Sequence, residues 1–141
     1  MNLEEQREIF NIFHDGTIIN VERQDSDILL KIDIEYIAQI LNETYKFFYL
    51  KLINCRFFKF VDWDDNEIID NLVMISEMEP EILSCDVVLD GVKIFCILSM
   101  VSGGAIHFEA EHIKIYDHAK IEISLDKLVS SCEEYWNNSN L

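Results

Sequence analysis

The chain has 141 residues, half of them hydrophobic, with 27 acidic against 11 basic side chains and a formal net charge of −16. That is the size of one domain, and the hydrophobic share is too high for a disordered chain. The charge argues against a protein that neutralises nucleic-acid phosphates or docks on an anionic membrane, and it favours a basic protein as partner.

Residues 3–13 predict a short helix, with Leu3, Ile9, Phe10 and Phe13 on one face and Asn2 as N-cap. His14-Asp15-Gly16 supplies turn chemistry. Thr17–Arg23 predicts a first strand, and residues 24–27 a polar turn. In the return strand, Ile28, Leu30, Ile32, Ile34 and Tyr36 alternate with Leu29, Lys31, Asp33 and Glu35. Residues 37–44 fit either a helical turn ending at Asn42 or a bent strand extension. Tyr45–Val61 is rich in aromatic and β-branched residues. It predicts two strands, or one strand bent near Asn54-Cys55, with Phe48, Leu50, Leu52, Phe58 and Phe60 in the core.

From Phe60 to Val92 the chain holds no Lys or Arg. Within this acidic segment Asn66–Ile75 predicts an amphipathic helix through Ile68, Ile69, Leu72 and Val73, stopped by Pro80. Ile82–Leu89 predicts a strand, Asp90-Gly91 a hairpin turn, and Val92–Val101 its return. Ala105–Tyr116 predicts a single strand with Ile106, Phe108 and Ala110 inward, and residues 119–123 another. Ser124 N-caps a final helix whose apolar face is Leu125, Leu128, Val129, Cys132 and Trp136. The tail from Asn137 is expected to fray. The sum is a single α+β domain over residues 1–141. Its antiparallel, meander-rich sheet has about seven strands, is open to curling, and carries a helix at each end.

No apolar run approaches the roughly 20 residues that span a bilayer. The opening MNLEEQREIF lacks the basic and apolar regions of a signal peptide, so a cytoplasmic location is expected. Cys55, Cys85, Cys96 and Cys132 are widely spaced among apolar neighbours and form no C-x-x-C pair; buried, reduced thiols are expected.

Residues with chemical potential are few. His107, Glu109 and Glu111 share one face of a strand and are suitable ligands for a divalent ion. Same-face neighbours lie roughly 6.5–7 Å apart, however, so a solvated sheet face explains them as well. His14-Asp15 has the composition of a base and its orienter, and equally that of a helix-ending turn. Asp62-Trp63-Asp64-Asp65-Asn66-Glu67 has the look of a calcium loop. It carries Glu67 where that loop needs Gly, and Val73 where it needs the bidentate Glu. No nucleophile elbow, P-loop or dinucleotide fingerprint is present, so no cofactor and no catalytic residue are expected.

The stretch Phe13-His14-Asp15-Gly16-Thr17-Ile18-Ile19 resembles one found in small uncharacterised bacterial proteins, in which an F-H-D-G-[ST]-I turn opens an antiparallel sheet. Ile123–Trp136 looks like the strand-to-helix ending of such proteins. Some small acidic bacterial domains of this kind are immunity proteins of contact-dependent or polymorphic toxin systems. The resemblance implies fold and bacterial origin, and it brings no active site with it. The expected function is a non-enzymatic protein-interaction domain, an immunity-type inhibitor of a toxin. Asp62, Asp64, Asp65, Glu67 and Asp70 would complement a basic partner around Trp63. The alternatives are an accessory domain that oligomerises through a sheet edge or through Tyr135 and Trp136 on the last helix, and a curved sheet that holds a small ligand or metal.

Overall fold

The computed structural model describes residues 3–90 and 93–139. Along the chain run α1 (Leu3–Ile12), β1 (Thr17–Gln24), β2 (Asp27–Asp33), α2 (Glu35–Leu41), β3 (Phe47–Ile53), β4 (Phe57–Asp62), β5 (Ile68–Ile69) and α3 (Leu72–Met78). After these come β6 (Ile82–Asp90), β7 (Lys93–Met100), β8 (Gly104–Ala110), β9 (His112–Tyr116), β10 (Glu122–Ile123) and α4 (Leu125–Ser139). The class is α+β, with a helix at each end of the sequence. The strands build two open antiparallel sheets, ordered β1-β2-β3-β9-β10 and β5-β4-β8-β7-β6, here called the first and second sheet.

The ten strands among the described residues outnumber the expected seven because two long segments change sheet and because β5 forms where a helix was expected. Asn54 has a left-handed φ of 49° and ends β3, and the chain re-enters as β4 in the second sheet. The expected single strand 105–116 breaks at the matching level, at Glu111, into β8 and β9. Backbone bonds tie the two crossings together: Arg56 donates to Glu109 at 2.9 Å and Glu111 donates to Ile53 at 2.9 Å. At the first bend the inward residues keep their parity, from Leu52 to Phe58, so alternation does not reveal it; at the second they shift from Ile106, Phe108 and Ala110 to Ile113 and Ile115, a slip of one residue that marks the break.

One core joins both sheets. Ile28, Leu30, Ile32, Phe48, Leu50, Leu52, Ile113 and Ile115 point inward from the first sheet. Phe58, Phe60, Cys96, Leu98, Ile106 and Phe108 do so from the second. α1 reaches both, with Phe13 against Phe48 at 5.1 Å and Phe10 against Phe108 at 6.1 Å between ring centroids.

Residues 35–41 form α2, and Asn42 caps its end through a bond to Ala38. Tyr36 therefore lies on a helix and not at the end of β2. Ile68 and Ile69, expected in a helix, instead pair with Val61 and Phe60 as β5. The helix starts only at Leu72, where the Asn71 side chain accepts from the Met74 N–H. The expected strand at 119–123 is reduced to β10, because Asp117 holds residues 117–121 in a turn. Ser124 caps α4 as expected, accepting from Lys127 at 3.2 Å, and α4 extends to Ser139, past the expected fraying point. The expected N-cap Asn2, the turn residue Gly91, Val92 and the last two residues lie outside the described residues, as do the side chains of Leu3 and Tyr135. No helix among the described residues is long and apolar enough to cross a membrane.

Candidate functional site

The acidic segment forms a hairpin and the helix after it. β4 and β5 pair, Asp62 donates its N–H to Glu67 O at 2.9 Å, and Trp63 donates to Gly103 O at 3.2 Å, which places Trp63 at the hairpin tip. Two of the predicted partner-binding carboxylates are engaged in the turn itself. Asp62 accepts from the Asp64 N–H and Asp65 from the Glu67 N–H, each at 2.8 Å. Short side chains that accept from the backbone two residues on are the usual way such turns form. Asp64, Glu67 and Asp70 are exposed, and so are several apolar side chains: Trp63 at 53 %, Ile68 at 59 % and Val73 at 66 %. Met74 and Met78 on α3 are exposed as well.

The candidate ligands His107, Glu109 and Glu111 do not converge. His107 stands across from Lys59, and burial followed by the Lys59 charge holds its imidazole below the usual pKa. Glu109 is buried between the cross-strand residues Phe57 and Phe95. Glu111 sits at the bend between sheets, where it accepts from Asn54 Nδ2 at 2.7 Å. Among the described residues no group of three His, Cys, Asp or Glu side chains is placed to hold a metal ion. His14 and Asp15 lie on the exposed turn after α1, their side chains 3.4 Å apart, with His14 Nδ1 against the Asn11 carbonyl. Asp15 has φ 72°, so the pair serves the turn geometry. Cys55, Cys96 and Cys132 are buried as expected and are not poised as nucleophiles, whereas Cys85, expected to be buried, is only half-buried, on a strand face at the side of the core. Burial pushes Cys55 and Cys132 up to about 11, and a hydrogen bond with Cys85 together with burial raises Cys96.

A second surface has no counterpart among the predicted sites. On the outer face of the first sheet, neighbouring strands bring Leu29, Lys51 and Lys114 into one row and Lys31, Tyr49 and Tyr116 into the next. Like charges directly opposite one another destabilise a sheet by roughly 0.2–1 kcal/mol, so the Lys51–Lys114 pair is a local cost. Lys120 reaches in from the turn after β9. Asp117 holds that turn, its carboxylate accepting from the N–H groups of Ala119 at 2.9 Å and Ile121 at 3.0 Å. Lys120 Nζ lies 5.3 Å from the Tyr49 ring centroid, and Lys31 Nζ lies 4.2 Å from that of Phe47. A depression of about 190 Å³ opens between Gln24, Leu29, Tyr49, Lys51, Tyr116 and Lys120. Beside it His118 is stacked between Tyr45 and Phe47, at 5.1 Å from each, and its Nδ1 accepts from the N–H groups of Lys46 and Phe47. The i, i+2 spacing of Phe47-Tyr49-Lys51 and of Lys114-Tyr116 is visible in the sequence. Their adjacency depends on β3 pairing with β9, about 60 residues away, and no local pattern encodes that.

No protein-family model matches the chain, and no curated protein sequence matches it. Among solved structures the chain is similar to an uncharacterized protein from Neisseria gonorrhoeae. The likeness is 20 % in identity with a TM-score of 0.46, over 73 % of this chain and 91 % of that one.

Proposed function

We propose that the protein is a non-enzymatic interaction domain. It binds a basic protein through the β4–β5 hairpin and α3, as an immunity-type inhibitor of a basic toxin such as a nuclease. The observation that carries this reading is Trp63, more than half exposed at the tip of a hairpin whose flanks bear the exposed carboxylates Asp64, Glu67 and Asp70. Large aromatics concentrate binding energy when a partner covers them, and a surrounding charge of one sign steers an oppositely charged partner. Ile68 and Val73 supply further apolar area on the same hairpin and the following helix.

The test is a pull-down from the native host in which wild-type protein retains a basic protein stoichiometrically, followed by kinetics with that protein. Trp63→Ala is expected to raise Kd by about 30-fold or more, mainly through faster dissociation. Neutralising Asp64, Glu67 and Asp70 together is expected to slow association at low salt and to have little effect at high salt. Asp62 and Asp65 are left intact because they hold the turn. Unchanged association and dissociation in both variants would remove this surface from the interaction.

A further inference from the structure

We propose that the outer face of the first sheet binds a free mononucleotide, its base against Tyr49 and Tyr116 and its phosphate among Lys51, Lys114 and Lys120. The inference is independent of the reading given to the acidic hairpin, which belongs to the second sheet.

Four of the chain's eleven basic side chains, Lys31, Lys51, Lys114 and Lys120, gather around two tyrosines that face each other across β3 and β9. Carboxylates are abundant in this chain, yet Lys31, Lys114 and Lys120 form no ion pair among the described residues. Lys51 has one partner, Asp27, at a loose 3.7 Å. Other carboxylates border the face: Glu22 across from Leu29, Asp33 across from Phe47, and Glu122 across from Tyr116, while Glu5 and Asp126 share a neighbouring depression with Lys114. The centre is therefore a set of ammonium groups over aromatic and aliphatic surface. Flat π-faces stack with a nucleobase, and ammonium donors bind phosphate oxygens with charge-assisted bonds. Neither element alone selects a nucleotide; their combination does, with Lys51 and Lys120 lining one depression with Tyr49 and Tyr116, and Lys114 beside it, across the strand pair from Lys51.

Two features choose a free mononucleotide over a strand of nucleic acid. The depression of about 190 Å³ has room for a single base with part of its sugar. The net charge of −16 repels a polyanion that would extend beyond the lysines, whereas a mononucleotide stays within them. Gln24, at the end of β1, lines the same depression and offers amide donor and acceptor groups toward a base edge.

The experiment titrates the full chain with the four nucleoside 5′-monophosphates, adenosine, inorganic phosphate and an oligothymidylate strand, at low and physiological salt. Binding is followed by NMR of the unmodified protein. The expected result is that at least one monophosphate binds about tenfold or more tightly than adenosine and than phosphate. The shifts should centre on Tyr49, Tyr116 and the Lys51 and Lys114 amides. Lys120→Gln should weaken that binding by about fivefold or more with thermal unfolding unchanged, since Lys120 is exposed, and Tyr116→Ala should weaken it as much while the protein still unfolds in one cooperative transition. The site is overturned if no monophosphate exceeds phosphate alone, or if the shifts fall on the β4–β5 hairpin. Tighter binding of the oligothymidylate per site than of any monomer would overturn the choice of a free mononucleotide.

Discussion

Gln6 is the side chain whose position is hardest to reconcile with stability. It lies on α1 three and four residues before Ile9 and Phe10, which puts it on the buried face of the helix, and it is 0 % exposed. Among the described residues, neither its Nε2 nor its Oε1 has a hydrogen-bond partner. A buried amide without partners has given up its water and gained nothing in return, at about 1–3 kcal/mol. Leucine has similar volume and no polar atoms. Gln6→Leu is therefore expected to stabilise the fold by about 1–2 kcal/mol, which raises Tm by roughly 3–8 °C. Differential scanning calorimetry checks this, and a fall in Tm would mean that the amide is doing something a methyl group cannot. The sequence made this position easy to misjudge. The apolar residues Ile9, Phe10 and Phe13 marked the buried face, but a glutamine at its edge looks like the start of the solvent side. Only packing against β6 and α4 shows otherwise.

Among the elements, α3 illustrates how the two sheets are joined along their free sides. β1 is an edge strand of the first sheet, and edges expose unpaired backbone groups. The start of β1 is bridged to the segment leading into β6: Ile18 donates to Pro80 O at 2.9 Å and Ile82 donates to Gly16 O at 2.9 Å. Farther along, Ser76 on α3 covers the edge. Its hydroxyl accepts from the Val21 N–H at 2.8 Å and donates to Leu72 O at 2.9 Å. Ser76→Ala leaves the Val21 amide without its partner and is expected to cost about 1–2 kcal/mol, with the gain in helix propensity recovering only a few tenths. Urea unfolding measures the loss, and hydrogen exchange locates it: the Val21 amide should exchange much faster than its neighbours. Protection unchanged at Val21 would show that the edge is shielded by something other than this hydroxyl. Such long-range contacts also explain where the sequence was silent. The long strands other than the joined β8 and β9, the α4 cap at Ser124 and the inward set Phe48, Leu50, Leu52, Phe58 and Phe60 follow from local chemistry and periodicity, and they were legible, whereas β5 was expected as helix. The transfer of the chain between sheets at Asn54 was not, because that bend preserves alternation, whereas at Glu111 the apolar set slips by one residue, from Ile106, Phe108 and Ala110 to Ile113 and Ile115, and only this slip marks the break. Nor was the Lys51–Lys114 and Tyr49–Tyr116 adjacency, because strand order is set by the whole core. Of the two candidate surfaces, the acidic hairpin was visible as a run of residues, whereas the lysine–tyrosine face exists only after β3 and β9 meet.

At the scale of the whole molecule the dominant electrostatic fact is self-repulsion. The net charge is −16, and the Lys51–Asp27 contact, at 3.7 Å, is loose and partly exposed. Exposed pairs of that kind contribute at most about 1 kcal/mol, so salt has little attraction to remove. It has much repulsion to screen: at about 0.1 M the Debye length falls to roughly 10 Å, shorter than the distance across a domain of this size. Compact carboxylates repel one another more in the native state than in the expanded chain, so screening favours folding. Raising NaCl from a few millimolar to about 0.5 M is therefore expected to raise Tm by several degrees, most steeply at the low end where the Debye length changes most. Sodium chloride suits the test because strongly excluded salts such as sulfate stabilise folded states by another route. Sucrose at matched osmolality should not reproduce the steep initial rise. A Tm that falls with NaCl would show that attraction outweighs repulsion, and the lysine–tyrosine face would be the place to look for it. Were that so, Lys114→Gln would abolish the fall; under net repulsion it removes one of the eleven positive charges, deepens the negative excess and makes the rise with salt steeper.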